Sequence, residues 1–168
     1  MKTLDLGCGN DKLSGAVGVD IDPNSKADIL HDLNVMPYPF ENNEFDYVRM
    51  KHSLEHLRDI KEVLNEVIRI TKPKGKILLQ YPHFSSESAY TNYDHKHYLG
   101  LSSFMNFPHL KLLRKELHWS PSNKRWWYRL IDKLITSLAN INQGYAERFW
   151  CYYVGGFFEC VVMFEVVK

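Results

Sequence analysis

The stretch LDLGCGNDKLSGAVGVDIDP, from Leu4 to Pro23, constrains the fold more than any other part of the chain. Thr3 to Leu6 and Ala16 to Ile21 are short apolar runs on either side of a Gly-X-Gly turn, and both read as buried parallel strands. A parallel crossover ordinarily takes a dozen or more residues, most of them helical. Only seven residues separate Gly9 from Val17. The turn that usually meets a nucleotide is present, and the helix that usually follows it has no room.

The same pattern of short apolar runs continues through Ala27 to His31, Phe45 to Met50 and Lys76 to Tyr81. Between the last two, Ile60, Val63, Leu64, Val67 and Ile68 repeat at helical spacing, and Asp59 with Glu62 forms a capping box. Lys72 to Gly75 reads as the turn into the next strand. Further on, Leu101 to Phe107 reads as a short helical stretch, Lys111 to Trp119 as a strand, Lys124 to Asn140 as a helix and Phe157 to Val167 as a final strand. With 168 residues, 45% of them hydrophobic, the expectation is one α/β domain over 1–168. The 21 basic and 20 acidic residues nearly cancel, so no strong field favours nucleic acid. Cys8, Cys151 and Cys160 lie apart with no CxxC pair, and no leader or membrane span is apparent, so a cytoplasmic protein is expected.

Gly7 and Gly9 clear space where backbone must turn and meet a ligand. A dinucleotide site would want a third glycine and an acid about 20 residues on. Here the third position is Lys12, and Asp20 arrives eleven residues after Gly9. LDLGCG, the following acids and HSLEHL (His52 to Leu57) resemble instead the class I S-adenosylmethionine-dependent methyltransferases, particularly their small type 11 group. The resemblance implies a Rossmann-like, mostly parallel sheet with an antiparallel C-terminal strand and, in this chain, short crossovers after the first two strands. It implies S-adenosylmethionine as cofactor, with 1–82 as the cofactor-binding half of the domain and 83–168 supplying acceptor loops, the C-terminal helix and the last strands. Asp5, Gly7, Cys8 and Gly9 would line its methionine end, Asp20 and Ile21 its ribose, and Asp32 with Leu33 its adenine, with Lys51 and His52 passing beneath it. A carboxylate suits the vicinal hydroxyls of a ribose because it accepts two hydrogen bonds.

Where the chain departs from that family, something must compensate. Lys12 is the expected substitute for the missing helix dipole at the cofactor carboxylate. A sheet face left without helices would be apolar and need covering. Lys124 to Asn140, or a second copy in a homodimer, is expected to cover it.

Methyl transfer from a sulfonium needs a positioned nucleophile and, for a hydroxyl, a base. His83, after the fifth strand, and His95, in YDHKHY, are the expected catalytic residues. Together with Asp94 and His97 they have donors for a divalent metal, but no recognised ligand spacing, so no metal is expected. The fourth strand is not followed by the [DNS]-P-P-[FYW] element of base-modifying enzymes, so DNA is disfavoured. A small-molecule, glycan or lipid-linked acceptor is expected, and KRWWYRLIDKL (124–134) suits weak contact with a membrane surface. The alternatives are a non-catalytic S-adenosylmethionine-binding partner subunit and a tRNA or protein methyltransferase. A dinucleotide oxidoreductase is more distant.

Overall fold

Strand formation in this chain yields one mixed sheet, seen in a computed structural model that describes residues 1–120 and 126–168. The strands are β1 (Thr3–Leu6), β2 (Val17–Asp20), β3 (Ile29–Leu30), β4 (Phe45–Lys51), β5 (Thr71–Pro82), β6 (Leu110–His118) and β7 (Glu159–Val166). Their spatial order is β3-β2-β1-β4-β5-β7-β6. The first five run parallel, and β7 is antiparallel to both β5 and β6. The order reverses beside β1, so the crevice at the carboxyl ends of β1 and β4 is where an open α/β sheet binds a ligand.

The expected helix is α1 (Ile60–Ile70); the Asp59 carboxylate accepts from the Glu62 amide at 3.0 Å and starts it. Its Val63, Leu64, Val67, Ile68 and Ile70 are buried. The chain then enters β5 directly, and a short helix, α2 (Glu87–Thr91), follows that strand. Lys72 to Gly75, read as a turn, is absorbed as an irregularity inside that strand: Phe45 pairs with Thr71, but Tyr47 pairs with Lys76. Lys74, at φ +63°, takes up the excess. Leu101 to Phe107 forms a series of tight turns, not a helix, with Leu101 and Phe104 turned into the core.

Between β1 and β2 there is no helix, as the spacing requires. The consequence for the sheet differs from the expectation. All the main apolar layer lies on one face, where Leu4, Leu6, Val48, Met50, Ile77, Leu79, Val162 and Phe164 are fully buried. Strand register puts Asp5, Arg49, Leu78, Met163 and Arg114 in one row on the other face, with Lys51, Gln80, Val161 and Glu116 in the next. That face is largely polar, so solvent can meet it without the penalty of a bare apolar sheet.

Nor does the C-terminal helix cover it. This helix, α3 (Trp126–Ile141), begins after residues outside the described part, and its polar side runs along edge strand β6. Asn140 accepts from the Leu117 amide at 3.0 Å and donates to its carbonyl at 2.8 Å; Thr136 and Asp132 accept from the Trp119 and Ser120 amides, each at 3.1 Å. Side chains thus satisfy backbone groups that an edge would leave open. The opposite side of α3 leaves Leu130, Leu134, Leu138 and Ile141 exposed. The helical segments Gln143–Tyr145, Ala146–Trp150 and Cys151–Tyr153 follow, with no helix expected there. No helix among the described residues is long and apolar enough to cross a membrane.

Candidate functional site

The crevice is built first from backbone. Gly7 has φ +69°, and its amide and that of Cys8 donate to the Val19 carbonyl at 2.8 and 3.1 Å. A Cβ on Gly7 would lie 2.4 Å from Cβ of Ser53, so only glycine fits. The Gly9 amide donates to one oxygen of Asp20 at 2.7 Å and the Asp22 amide to the other at 3.0 Å. Asp20 is thereby oriented with lone pairs to spare on both oxygens.

A cavity of about 420 Å³ opens above this turn, large enough for a nucleoside-sized ligand. Gly7, Asp20, Ile21, Asp32, Leu33 and His52 line it, as do Ser53, His56, Arg58 and Lys96. Asp32 is fixed by the amide and side chain of Asn34, both at 2.9 Å, and these bonds hold its carboxyl below the usual range. One Asp32 oxygen accepts both of these bonds. Ile21, exposed, and Leu33, buried, add apolar surface beside it.

Five of the expected cofactor residues, Asp5, Cys8, Gly9, Lys12 and Lys51, stand outside this lining, and three of them are held in ion pairs. Asp5 is fully buried and bridged twice by Arg49, at 2.8 and 2.7 Å, while accepting from the Leu13 amide at 2.8 Å. It holds the glycine loop from below. Lys12 does not face the crevice as expected: its Nζ pairs with Asp28 at 2.8 Å and its stem packs over Gly18. Lys51 pairs with Asp11 at 2.6 Å. Cys8 is buried, and burial followed by the nearby Asp5 and Asp20 charges pushes its thiol up. Gly9 meets the site through Asp20.

His52, at the end of β4, has φ +50°, a left-handed conformation rare outside glycine and found disproportionately at functional sites. Its Nε2 lies 3.0 Å from Glu159, which also accepts from Gln80 at 2.8 Å. Burial opposes a charge on His52, but the hydrogen bond and charge of Glu159, with the charge of Glu55, outweigh it and raise the imidazole to about 9. His52 is therefore a cation at neutral pH.

The loop histidines separate. His83 is fully buried between Phe84 and Phe157, with Nδ1 2.6 Å from the Ser85 hydroxyl and Nε2 3.3 Å from Glu147. It does not line the cavity. His97 bonds the Leu57 carbonyl at 2.9 Å. His95 packs edge-on against His56, 4.7 Å between ring centres, and faces the buried Glu55. A second cleft of about 540 Å³ is rimmed by hydroxyls of Ser85, Ser86, Ser88, Thr91 and Ser120. Phe158, in its wall, lies edge-on to His52, so the two openings adjoin.

Ser53, Arg58, Lys96 and Glu159 carry no signal of their own in the sequence. HSLEHL marks the neighbourhood of the first, but the pairing of Glu159 with His52 spans 107 positions.

Comparison with known proteins agrees with this geometry. A family model described as a methyltransferase domain matches residues 1–142. A demethylmenaquinone methyltransferase of Bacillus cereus (strain AH187) is 33% identical over 102 residues, covering 46% of this chain and 43% of the relative. The chain thus spans less than half the length of such curated relatives. A SAM-dependent methyltransferase structure from Archaeoglobus fulgidus superposes with a TM-score of 0.66 at 18% identity, covering 98% of this chain and 85% of that one. An S-adenosylmethionine-dependent methyltransferase structure from Mesorhizobium loti gives 0.63 at 12% identity, covering 98% and 90%. At such identities the structures speak for the fold alone.

Proposed function

The chain belongs to the methyltransferase-domain family, and from that premise we propose that it binds S-adenosylmethionine above the Gly7 turn and transfers its methyl group to a small-molecule acceptor. The observation that carries this reading is the convergence of Gly7, Asp20, Asp32 and Leu33 on one cavity at the sheet's switch point. The residues fit the cofactor. Asp20 offers two oriented oxygens to the ribose hydroxyls, Asp32 a carboxylate to the adenine amine, and Gly7 admits the chain of the methionine. The cofactor supplies an electrophilic methyl, and the protein's share is chiefly to bind, orient and exclude water.

Positive charge for the cofactor carboxylate comes, in this reading, from His52. His52 takes the part expected of Lys12. A histidine held protonated at neutral pH is a poor base, so its work is electrostatic. His83 acts as a positioning residue, tying the β5 end to Glu147, and His95 belongs to the cluster beside the cavity. The hydroxyl-rimmed cleft next to Phe158 is the acceptor's place. Isothermal titration with S-adenosylhomocysteine tests the reading: Asp20→Ala should weaken binding at least tenfold, and wild-type affinity in that variant would remove the assignment.

A lipid-borne acceptor, or one presented at a lipid surface, is favoured by a specific feature of the C-terminal region. The exposed apolar row of α3 continues into exposed Tyr145, Phe149, Tyr152 and Tyr153. Beside it, Arg129, Lys133 and Arg148 are exposed, whereas Asp132 bonds the Ser120 amide and Glu147 the Leu101 amide. The outward charge is basic and the apolar surface continuous, which suits an anionic membrane face.

A further inference from the structure

Glu55 is the most anomalous side chain among the described residues. It is 2% exposed, and both of its carboxylate oxygens are without a hydrogen-bond partner among the described residues. A buried carboxylate without a donor has lost its hydration uncompensated, which is destabilising unless a cation binds it directly. The imidazoles that face it, Nδ1 of His52 at 3.7 Å and Nε2 of His95 at 3.9 Å, are both beyond hydrogen-bonding distance, so the His52 cation offsets part of the charge but leaves both oxygens without a donor.

Donor atoms of Glu55, His56 and His95 all lie within 4.8 Å of one another. Metal–ligand bonds of about 2.0–2.2 Å allow two ligand atoms on one ion to stand no more than about 4.4 Å apart, so small side-chain rotations would close the set. The supporting contacts are those a metal ligand needs. Nδ1 of His95 is 3.2 Å from the Ala89 carbonyl, which can only accept, so that nitrogen carries hydrogen and Nε2 is the one turned toward Glu55. The Lys96 amide donates to the Glu55 carbonyl at 2.8 Å and His97 bonds the Leu57 carbonyl, which pins the His95 loop to the segment bearing Glu55 and His56.

We propose that Glu55, His56 and His95 form a binding site for a divalent transition metal at the wall of the cofactor cavity. Two imidazoles and one carboxylate favour zinc, manganese or ferrous iron over magnesium or calcium, which prefer oxygen donors. Three protein ligands leave positions open. Because His56 also lines the cofactor cavity, an open position faces that cavity. The cavity adjoins the acceptor cleft at His52 and Phe158, so an acceptor oxygen reaching across from the cleft would meet the metal there. This last step rests on the methyltransferase reading and gives the acceptor a chemical class: an oxygen nucleophile, most suitably one with a neighbouring oxygen that can share the metal. A metal-bound hydroxyl loses its proton more readily; the proton passes to solvent, and the oxygen keeps the electron pair that forms the new O–C bond as the methyl–sulfur bond breaks toward sulfur.

The test uses the full chain stripped with a chelator. Calorimetric titration with Zn2+, Mn2+ and Co2+, with the visible spectrum of the cobalt form, should show one ion per chain and a rise in Tm. Glu55→Gln and His95→Ala should each lower the affinity at least tenfold. Glu55→Gln removes a buried carboxylate that accepts no hydrogen bond, so its metal-free form should keep a cooperative melting transition near that of wild type, which keeps the result readable apart from misfolding. Absence of stoichiometric binding, or binding undiminished in both variants, would overturn the site. S-adenosylhomocysteine titrated into the same samples separates the two readings. Its binding without metal binding defeats only the metal site, and metal binding without it leaves the site standing while defeating the cofactor assignment.

Discussion

Replacing Arg49 by methionine tests how a glycine turn is held when its helix is absent. The Asp5 side chain is 1% exposed and that of Arg49 12%, and the pair makes two hydrogen bonds at 2.8 and 2.7 Å. Arg49 also donates to the Asp11 carbonyl at 2.6 Å, so a single guanidinium ties β1, β4 and the loop between Gly9 and Leu13. In Arg49→Met the Asp5 carboxylate keeps only the Leu13 amide. Removing one partner of a buried pair costs about 3–5 kcal/mol. Against a total stability of about 5–15 kcal/mol, that is a large fraction. With a urea m-value of about 1–3 kcal/mol/M, the midpoint should fall by roughly 1 M or more. Urea unfolding followed by circular dichroism measures it. The double variant Asp5→Leu/Arg49→Met removes both charges and should recover much of the loss, because an apolar pair of similar size avoids the desolvation cost. A loss below about 1 kcal/mol in Arg49→Met, or a double variant as unstable as the single, would refute the claim that this pair supports the turn.

Three further outcomes are expected. Gly7→Ala should reduce S-adenosylhomocysteine affinity strongly in calorimetry, from the 2.4 Å clash with Ser53 and from about 1–2 kcal/mol of left-handed strain; adding Ser53→Gly should restore part of it, and no loss at all would show that the turn is not constrained. Glu66, bonded by Arg69 and the Tyr38 amide, has its carboxyl held below the usual range, first by the Arg69 bond. Its contribution is present above the unfolded value near pH 4.3 and is lost as pH falls through the lower folded value. Glu66→Gln should therefore cost about 1.5–3 kcal/mol at pH 7, with the difference closing toward pH 3 in urea titrations; a difference that grew in acid would reverse the sign. Leu134→Glu with Ile141→Glu should abolish co-sedimentation with anionic liposomes while leaving S-adenosylhomocysteine binding intact. Equal sedimentation of variant and wild type would remove the membrane reading.

Much of this architecture is legible in local spacing. The succession of the seven strands along the chain, the α1 cap at Asp59 and the shortness of the first two crossovers follow from residues close together in the chain. The polar sheet face was also written locally: Tyr47, Arg49 and Lys51 alternate with Val48 and Met50. Reading FDYVRM as a wholly buried strand hides that alternation and makes a covering helix look necessary. Likewise, Asp132, Thr136 and Asn140 recur every four residues, which marks the side of α3 that bonds β6. Partnership across distance was not legible. The partner that turns Lys12 from the cofactor, Asp28, lies 16 residues away, and Arg49, the partner of Asp5, lies 44 away. The left-handed turn at His52 and its bond to Glu159 arise only when β4 and β7 flank β5.

The most direct measurement is calorimetric titration of the full chain with S-adenosylhomocysteine, S-adenosylmethionine and NAD, in wild type and in Asp20→Ala. Stoichiometric binding of both sulfur compounds, none of NAD, and an affinity at least tenfold lower in the variant are expected. Binding of NAD, or failure of both sulfur compounds to bind the folded protein, would contradict the assignment of this cavity.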